Sequence, residues 1–262
     1  MQGVVAQFDH PHIVWRGIAD ARRWTCRIEV GNAIKGTEFL VGADLVLTAW
    51  DVLESLFDLT DGKYKPNEEP QQVRFHFDDF LVMIAPGILG PTRTTVLEAD
   101  DKWHVTHSVC HKTERNNRLP KNFADLDGHW DFCVLRLKSL PGLERRWAHL
   151  EPKAVVPRCN DRVVLFHHPT GQQMRASTSV LAAFKDPVAE CLDLRFLHRG
   201  DALSGSSGGP CFDKNFSLFG IHQGVFQPGS GLEPRRADNE DHRVHQSRDA
   251  RWASNSASRE NA

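Results

Sequence analysis

A serine lies at the centre of a loop of small residues in the segment GDALSGSSGGPCF, residues 200–212. Glycines on both sides of Ser207 leave room for backbone amides to converge on one side-chain oxygen. The loop runs into an apolar strand that begins near Cys211. This is the setting of a nucleophile, because amides placed in this way stabilise the negative charge that develops when a serine attacks a carbonyl group.

The elements that must position this loop are predicted to be strands. The segment TCRIEV at 25–30 alternates apolar and polar residues with a period of two, and DFCVLRL at 131–137 is strongly apolar. About ten such segments are separated by Gly, Pro, Asn and Asp, which predicts an all-β barrel or sandwich. Residues 1–24 are predicted to form an N-terminal arm. Residues 227–262 are polar and carry charges of both signs, so a disordered tail is predicted there.

Composition excludes several classes of function. The chain has 262 residues and a net charge of −2, which gives no electrostatic argument for binding nucleic acid or an anionic membrane. No apolar run reaches the roughly 18 residues of a membrane helix, and the first residues lack a secretory signal, so we expect a cytoplasmic protein. The 6 cysteines form no CxxC pair and are expected to be reduced thiols. Neither metal-ligand spacing nor a phosphate loop is recognisable, and no metal or cofactor is expected.

Three segments together resemble one known family. GTEFLVGADLVLTAWDV at 36–52, DFCVLRL at 131–137 and the serine loop, followed by LFGIHQG at 218–224, are similar in order and spacing to the core blocks of trypsin-like serine peptidases. The bacterial, disulfide-poor branch that includes the glutamyl endopeptidases is the most similar. The resemblance covers residues 25–226 and implies a double antiparallel six-stranded β-barrel. The last strand of the second barrel is not recognisable, because the tail shows no strand-like alternation.

The resemblance also implies roles for single residues. Ser207 matches the family's nucleophile, and the amides of Gly205 and Ser207 match its oxyanion hole. Asp131, which opens an apolar strand, matches the acid that orients a histidine and stabilises its charged form. The ligand implied by these residues is a polypeptide substrate.

The general base of the family is missing. Where the family has Thr-Ala-Ala-His or Thr-Asn-Trp-His, residues 48–51 read Thr-Ala-Trp-Asp. An aspartate, with a reference pKa of about 3.9, is too weak a base to take a serine proton well, and it is shorter than histidine. Asp51 would also face Asp131, so one of the two carboxyl groups must be protonated or must turn to solvent. We therefore expect weak or absent hydrolysis; the alternative is a pseudoprotease that binds a peptide segment or partner without cleaving it.

Two residues give opposite expectations for the specificity pocket. His222 stands in a Gly-Ile-His context that, in glutamyl endopeptidases, meets an acidic or amide side chain of the substrate. Asp201 lies six residues before Ser207, at the position where trypsin carries the acid that selects Arg or Lys. A plain strand histidine and a surface-loop aspartate are equally compatible with the pattern, so the preference stays open. Glu38 is a further departure, because the family has a small residue there.

Overall fold

Two closed antiparallel barrels, each of six strands, are formed by the described part of the chain. The structure is a computed structural model and describes residues 10–67, 72–151, 157–182, 195–225 and 245–249. The strands are β1 Thr25–Val30, β2 Ala33–Leu40, β3 Leu45–Thr48, β4 Phe57–Thr60, β5 Lys63–Pro66, β6 Val73–Phe77, β7 Leu81–Ala85, β8 Ile88–Pro91, β9 Thr95–Ser108, β10 Phe132–Leu137, β11 Arg162–His167, β12 Arg175–Ala182, β13 Phe196–His198, β14 Pro210–Phe212, β15 Leu218–Val225 and β16 His245–Asp249.

The strand order confirms the predicted double barrel. The first barrel runs β1-β2-β3-β10-β9-β6 and the second runs β11-β12-β13-β16-β15-β14. Two further hairpins, β4–β5 and β7–β8, stand outside the barrels, and the sequence had not predicted them. The helical segments are α1 Pro11–Trp24, α2 Trp50–Leu53 and α3 Gly142–Arg145, with short 3-10 turns at Glu54–Leu56, Glu114–Asn116, Phe123–Leu126 and Pro169–Gly171.

Alternation along the strands produces the first core. Cys26, Ile28 and Val30 of β1 are buried on one face, as a period of two requires. Large side chains such as Trp50 and Phe75 fill the same interior and are fully buried. Each apolar side chain of this size contributes about 1.5–3 kcal/mol when it leaves water. A second, smaller cluster in the other barrel contains Val163, Leu165, Leu181, Phe196, Ala202, Cys211 and Phe219.

The predicted N-terminal arm is a helix from Pro11 onwards, and residues 1–9 lie outside the described residues. Pro11 suits the first turn of α1, where a missing N–H costs nothing. The helix is anchored at its end, because the Trp24 indole donates a hydrogen bond to the Arg145 carbonyl at 3.1 Å. Gly17 packs flat against the Phe216 ring and leaves no room for a Cβ atom. No described helix is long and apolar enough to cross a membrane.

The second barrel is closed by a strand in the segment that the sequence predicts to be a disordered tail. Residues 245–249 of that segment form β16, which pairs antiparallel with both β13 and β15. The sequence of this strand, HQSRD, has no apolar alternation, and its pairing comes from backbone hydrogen bonds to two neighbouring strands. Residues 226–244 and 250–262 lie outside the described residues.

Four of the described cysteines are buried and one is exposed. Cys26, Cys110, Cys133 and Cys211 are buried, and Cys159 is exposed. The burial of four of these five agrees with the expectation that most of the cysteines act as small apolar residues. The sixth, at position 191, lies outside the described residues.

Candidate active site

Three segments distant in sequence meet where the first barrel contacts the serine loop. The backbone amide of Trp50 donates a hydrogen bond to Asp131 Oδ1 at 3.1 Å, which joins the start of α2 to the turn before β10. Gly208 packs so tightly against Thr37 and Thr48 that a Cβ atom would overlap both residues. The folding of β3 beside β10 therefore brings together the three sequence blocks that carry Asp51, Asp131 and the serine loop.

Asp131 is the buried acid of the site. It is fully buried and has a φ of 49°, a left-handed conformation that Asp adopts more readily than most residues. This conformation turns the chain out of the β9–β10 connection and directs the carboxylate towards the Trp50 amide. The hydrogen bond holds the carboxylate against the first turn of α2, one residue before Asp51.

Asp51 lies in the first turn of α2 and is exposed. Both carboxylates act on Cys110: burial first, then Asp131 and more weakly Asp51, raise the pKa of this thiol to about 12. Of the two residues, only Asp131 is buried.

Ser207 directs its hydroxyl group to a backbone carbonyl. Its Oγ donates to the Gln223 oxygen at 2.7 Å, on the strand β15. Its own carbonyl accepts a hydrogen bond from the Thr37 amide at 2.8 Å, which joins the loop to the first barrel. Within the described ranges, no histidine ring is hydrogen-bonded to Ser207.

The amide of Gly205 is oriented by its neighbours. The preceding carbonyl, Ser204 O, accepts a hydrogen bond from the Thr170 amide at 2.5 Å. The structure contains no cis peptide among the described residues, so the N–H of Gly205 points away from Thr170. The Gly205 carbonyl is held by the Thr37 hydroxyl at 2.8 Å, and its φ of 88° is one that glycine adopts without strain.

The amide of Ser207 is oriented in the same way. The preceding carbonyl, Ser206 O, accepts a hydrogen bond from the Gly209 amide at 3.1 Å, so the N–H of Ser207 points to the opposite side of that peptide. Neither this amide nor that of Gly205 has an acceptor in the part of the chain that the structure describes. Both amides therefore lack a described hydrogen-bond acceptor, which is one requirement of an oxyanion hole.

His222 belongs to a buried pair of histidines. Its Nδ1 lies 3.1 Å from His198 Nε2, and His198 Nδ1 accepts a hydrogen bond from the Gly200 amide at 3.2 Å. In the neutral pair, His198 therefore carries its hydrogen on Nε2 and donates it to His222, which leaves the hydrogen of His222 on Nε2. Sequence reasoning missed His198; its only signal is a histidine at the end of the short strand before the serine loop.

Asp201 is exposed. Its backbone carbonyl accepts a hydrogen bond from Ser177 Oγ at 3.0 Å. Within the described ranges its carboxylate makes no hydrogen bond or ion pair. The structure thus places one predicted pocket residue, His222, in the interior of the second barrel and the other on the surface.

Thr37 is a site residue that sequence reasoning missed. Its hydroxyl donates to the Gly205 carbonyl and accepts from the His168 amide at 2.9 Å, while its own amide donates to Ser207. It is fully buried and connects β2 of the first barrel to two loops of the second. The signal available in the sequence is its place directly after Gly36 in the GTEFL block.

Two further histidines near Trp50 belong to an aromatic cluster. The His107 ring stacks on Trp50 with a centroid distance of 4.9 Å, and its Nδ1 lies 2.9 Å from His104 Nε2. Burial, together with the neighbouring His104, lowers the pKa of His107 to about 4. The His107 ring thus packs on Trp50 at the start of α2. Within the described residues, no group of three or more His, Cys, Asp or Glu side chains is arranged to hold a metal ion.

Residues 36–221 match the family model described as the trypsin-like peptidase domain. The chain belongs to the trypsin-like peptidase family. This match spans the Thr37 strand, the acid before β10 and the serine loop, and it confirms the family to which the sequence blocks pointed.

One curated relative is similar over most of this chain. A probable serine protease of Lysobacter enzymogenes is 24% identical over 205 residues, which are 77% of this chain and 29% of the relative. The peptidase chain thus spans about 29% of the length of that curated relative.

Solved structures of similar fold include three proteases of low sequence identity. The Rv3671c protease of M. tuberculosis in its inactive form has a TM-score of 0.54 and 17% identity, covering 99% of this chain and 100% of its own. A Glu endopeptidase has a TM-score of 0.55 and 13% identity, with 90% of each chain covered. The HtrA-type protease AlgW, solved with a tripeptide, has a TM-score of 0.51 and 15% identity, covering 92% of this chain and 61% of its own.

Proposed function

We propose that this trypsin-like peptidase domain uses Ser207 as its nucleophile but hydrolyses peptide bonds weakly or not at all. In this proposal the amides of Gly205 and Ser207 form the oxyanion hole. Asp131 is the orienting acid, and Asp51 occupies the position of the general base without serving as one.

The observation that carries the proposal is the hydrogen bond from Ser207 Oγ to the Gln223 carbonyl at 2.7 Å. A nucleophilic hydroxyl must give its proton to a base whose pKa lies near the working pH. An amide carbonyl accepts a hydrogen bond but does not take the proton. The serine is therefore held as a neutral hydroxyl in the described structure.

Asp51 does not serve as the missing general base for Ser207. Its side chain is exposed, whereas the hydroxyl of Ser207 points to strand β15. In well-studied serine proteases, removal of one triad member lowers turnover by about 10⁴- to 10⁶-fold, and the oxyanion hole supplies the activity that remains. We expect a residual activity of that order.

We place an acidic or amide side chain of a polypeptide in the specificity pocket. The hydrogen bonds from Gly200 to His198 and from His198 to His222 favour the tautomer of His222 with its hydrogen on Nε2. In this tautomer Nε2 can donate a hydrogen bond to an acidic or amide side chain. The exposed position of Asp201 argues against its selecting a basic residue. A peptide ligand agrees with the tripeptide present in the AlgW structure.

The second candidate is a pseudoprotease that binds a peptide or partner segment. It is supported by a contrast within the site: the amides of Gly205 and Ser207 have no acceptor among the described residues, while Asp51 carries an exposed carboxylate. Binding needs the first feature and not the second. This candidate predicts measurable peptide affinity with no turnover.

The test is labelling with a fluorophosphonate, which reacts with an activated serine. We expect the natural chain to label slowly and Asp51→His to label at least about 100-fold faster, because one general base contributes about 10²–10⁴-fold. Asp51→Asn is the matched control: it removes the carboxylate without adding a base, and it should stay as slow as the natural chain. Ser207→Ala should not label at all.

The outcomes separate the candidates. Fast labelling and peptide cleavage by the natural chain would show that Asp51 does not impair the site. Equal acceleration by Asp51→Asn and Asp51→His would show that charge, and not a missing base, limits the serine. If Asp51→His stays unreactive while fluorescence polarisation detects binding of a peptide with a glutamate side chain, the pseudoprotease is the correct function.

A further inference from the structure

A buried histidine lies beneath the serine loop and is not a member of the predicted site. His167 ends β11 and is only 2% exposed. Its Nδ1 lies 2.7 Å from Ser206 Oγ, and its Nε2 lies 2.9 Å from Ser177 Oγ. Ser206 is itself fully buried and directly precedes Ser207.

The hydrogen bonds fix which ring nitrogen carries the hydrogen. Ser177 Oγ donates to the Asp201 carbonyl at 3.0 Å, so it must accept from the ring, and His167 Nε2 carries the hydrogen. In the neutral ring Nδ1 is then an acceptor, and Ser206 Oγ must donate to it. The Ser206 oxygen is left to accept from the Leu203 amide, which lies 3.1 Å away.

This arrangement holds the serine loop at two points through one ring. Ser177 connects the ring to the carbonyl of Asp201 at the start of the loop. Ser206 connects it to the turn that immediately precedes the nucleophile, where the Ser206 amide also donates to the Leu203 carbonyl at 3.0 Å. The carbonyl of Ser206 sets the direction of the Ser207 amide. The orientation of this peptide therefore depends on where Ser206 is held.

We propose that His167 is a positioning residue for the loop at 201–207, acting through Ser206 and Ser177 to orient the Ser207 amide and hydroxyl. It does not touch a substrate. The inference rests on the proposed function in one respect: the oriented amide is taken to bind the ligand oxygen. A neutral ring with its hydrogen on Nε2 is the working form, because a hydrogen on Nδ1 would remove the acceptor for Ser206.

The first test uses the natural chain and does not depend on activity. Correlation spectra of the histidine side chains, labelled with ¹⁵N, should show His167 with its hydrogen on Nε2 at neutral pH. In His167→Phe, which keeps a ring but has no polar atoms, the Leu203 amide should exchange with deuterated solvent at least 10-fold faster. His167→Gln, which keeps one acceptor and one donor, should restore most of the protection.

His104→Phe is the matched control, because it makes the same replacement in the first barrel, where His104 is also hydrogen-bonded to a neighbouring ring. It should leave Leu203 exchange within 2-fold of the natural chain. A ring hydrogen on Nδ1, or equal exchange in His167→Phe and the natural chain, would overturn the proposal. Faster exchange in all variants in proportion to their global stability would overturn it as well.

The second test places His167→Phe in the Asp51→His chain and measures fluorophosphonate labelling of Ser207. We expect a loss of about 100-fold, the effect of one lost oxyanion donor, with His167→Gln close to the parent. Equal labelling of His167→Phe and its parent would overturn the positioning role. Should the Asp51→His parent itself fail to label, the proposed peptidase chemistry is wrong, while the exchange measurement still decides whether His167 positions the loop.

Discussion

Two buried polar groups, one in each barrel, differ in whether they have a hydrogen-bond partner. In the first barrel, Glu38 on β2 is fully buried, and neither of its carboxyl oxygens has a hydrogen-bond partner among the described residues. Burial raises the pKa of this carboxyl group well above its ordinary value. In the second barrel, His167 and Ser206 are equally buried, and both are hydrogen-bonded.

An unpaired buried group lowers stability, whereas a paired one can orient a neighbouring segment. An unpaired carboxyl group in an apolar interior stays protonated and lowers stability, whatever it does for function. Glu38 lies beside Cys26 and Cys133, and after burial it is the next cause of the raised pKa of both thiols. The paired groups of the second barrel instead fix the orientation of a loop. Position relative to a partner, and not polarity alone, decides the role of a buried side chain.

The largest effect is expected where a fully buried pair is broken. Arg195, just before β13, donates to both carboxylate oxygens of Glu114 at 2.6 and 2.8 Å, and both side chains are fully buried. Glu114→Ala leaves a buried guanidinium without its anion and should lower the free energy of unfolding by about 3–5 kcal/mol. Urea denaturation of the two chains measures this difference in the free energy of unfolding.

Glu114→Gln is the control for this change, because it keeps the volume and one acceptor for Arg195. Its loss should be clearly smaller than that of Glu114→Ala. Equal losses, or a loss under about 1 kcal/mol for Glu114→Ala, would show that the buried pair contributes no more than an exposed one. Hydrogen-bonded pairing of a buried group would then make little difference to the free energy of unfolding.

The second prediction is a gain in the free energy of unfolding, at a position in the first barrel. Glu38→Met replaces the unpaired carboxyl with an apolar side chain of similar length and should raise the free energy of unfolding by about 2–3 kcal/mol at pH 7. Because the folded pKa is raised, the natural chain loses stability as the pH rises above about 4.3, where the unfolded carboxyl ionises. The advantage of the variant should therefore be small near pH 4 and should grow towards pH 7.

Thermal and urea unfolding between pH 4 and pH 7 check this prediction, with Glu38→Gln as the polar control. The amide of Glu38→Gln cannot ionise, so this variant should lose the pH dependence of stability. It keeps an unpaired polar group, so its free energy of unfolding should rise less than that of Glu38→Met. A Glu38→Met chain that is less stable than the natural one at pH 7 would show that the carboxyl group has a stabilising contact.

The sequence predicted the features that depend on short motifs. The Gly-rich serine loop, the apolar strand after Asp131 and the GTEFL block led to the double barrel, which the strand order and the family match confirm. The absence of the family's histidine, with Asp51 in its place, was predicted from position alone and stays a prediction. Its consequence for activity, and the division into an arm, a domain at 25–226 and a tail, stay predictions.

Features that depend on backbone pairing or on long-range contacts could not be predicted. Strand β16 forms from a polar segment, because its hydrogen bonds come from β13 and β15 and need no apolar pattern. The contact between His167 and Ser206 joins residues 39 positions apart. A histidine pair at 167–168 gives no indication of which ring is involved. Glu38 was recognisable as a departure from the family, but its lack of a partner is a property of the folded interior.

The smallest predicted effect compares two neighbours on one strand. Thr37 precedes Glu38 on β2 and is also fully buried, yet its hydroxyl is paired twice, as donor to the Gly205 carbonyl and acceptor from the His168 amide. Thr37→Val keeps the shape and leaves both groups without this partner, so unfolding should cost about 1–2 kcal/mol less. Thr37→Ser, which keeps the hydroxyl, should lose less, as urea denaturation can show. If Thr37→Val stabilises the chain as Glu38→Met does, then the hydrogen bonds that Thr37 makes to the second barrel do not offset the cost of burying its hydroxyl. The two adjacent positions on β2 would then differ only in side-chain size.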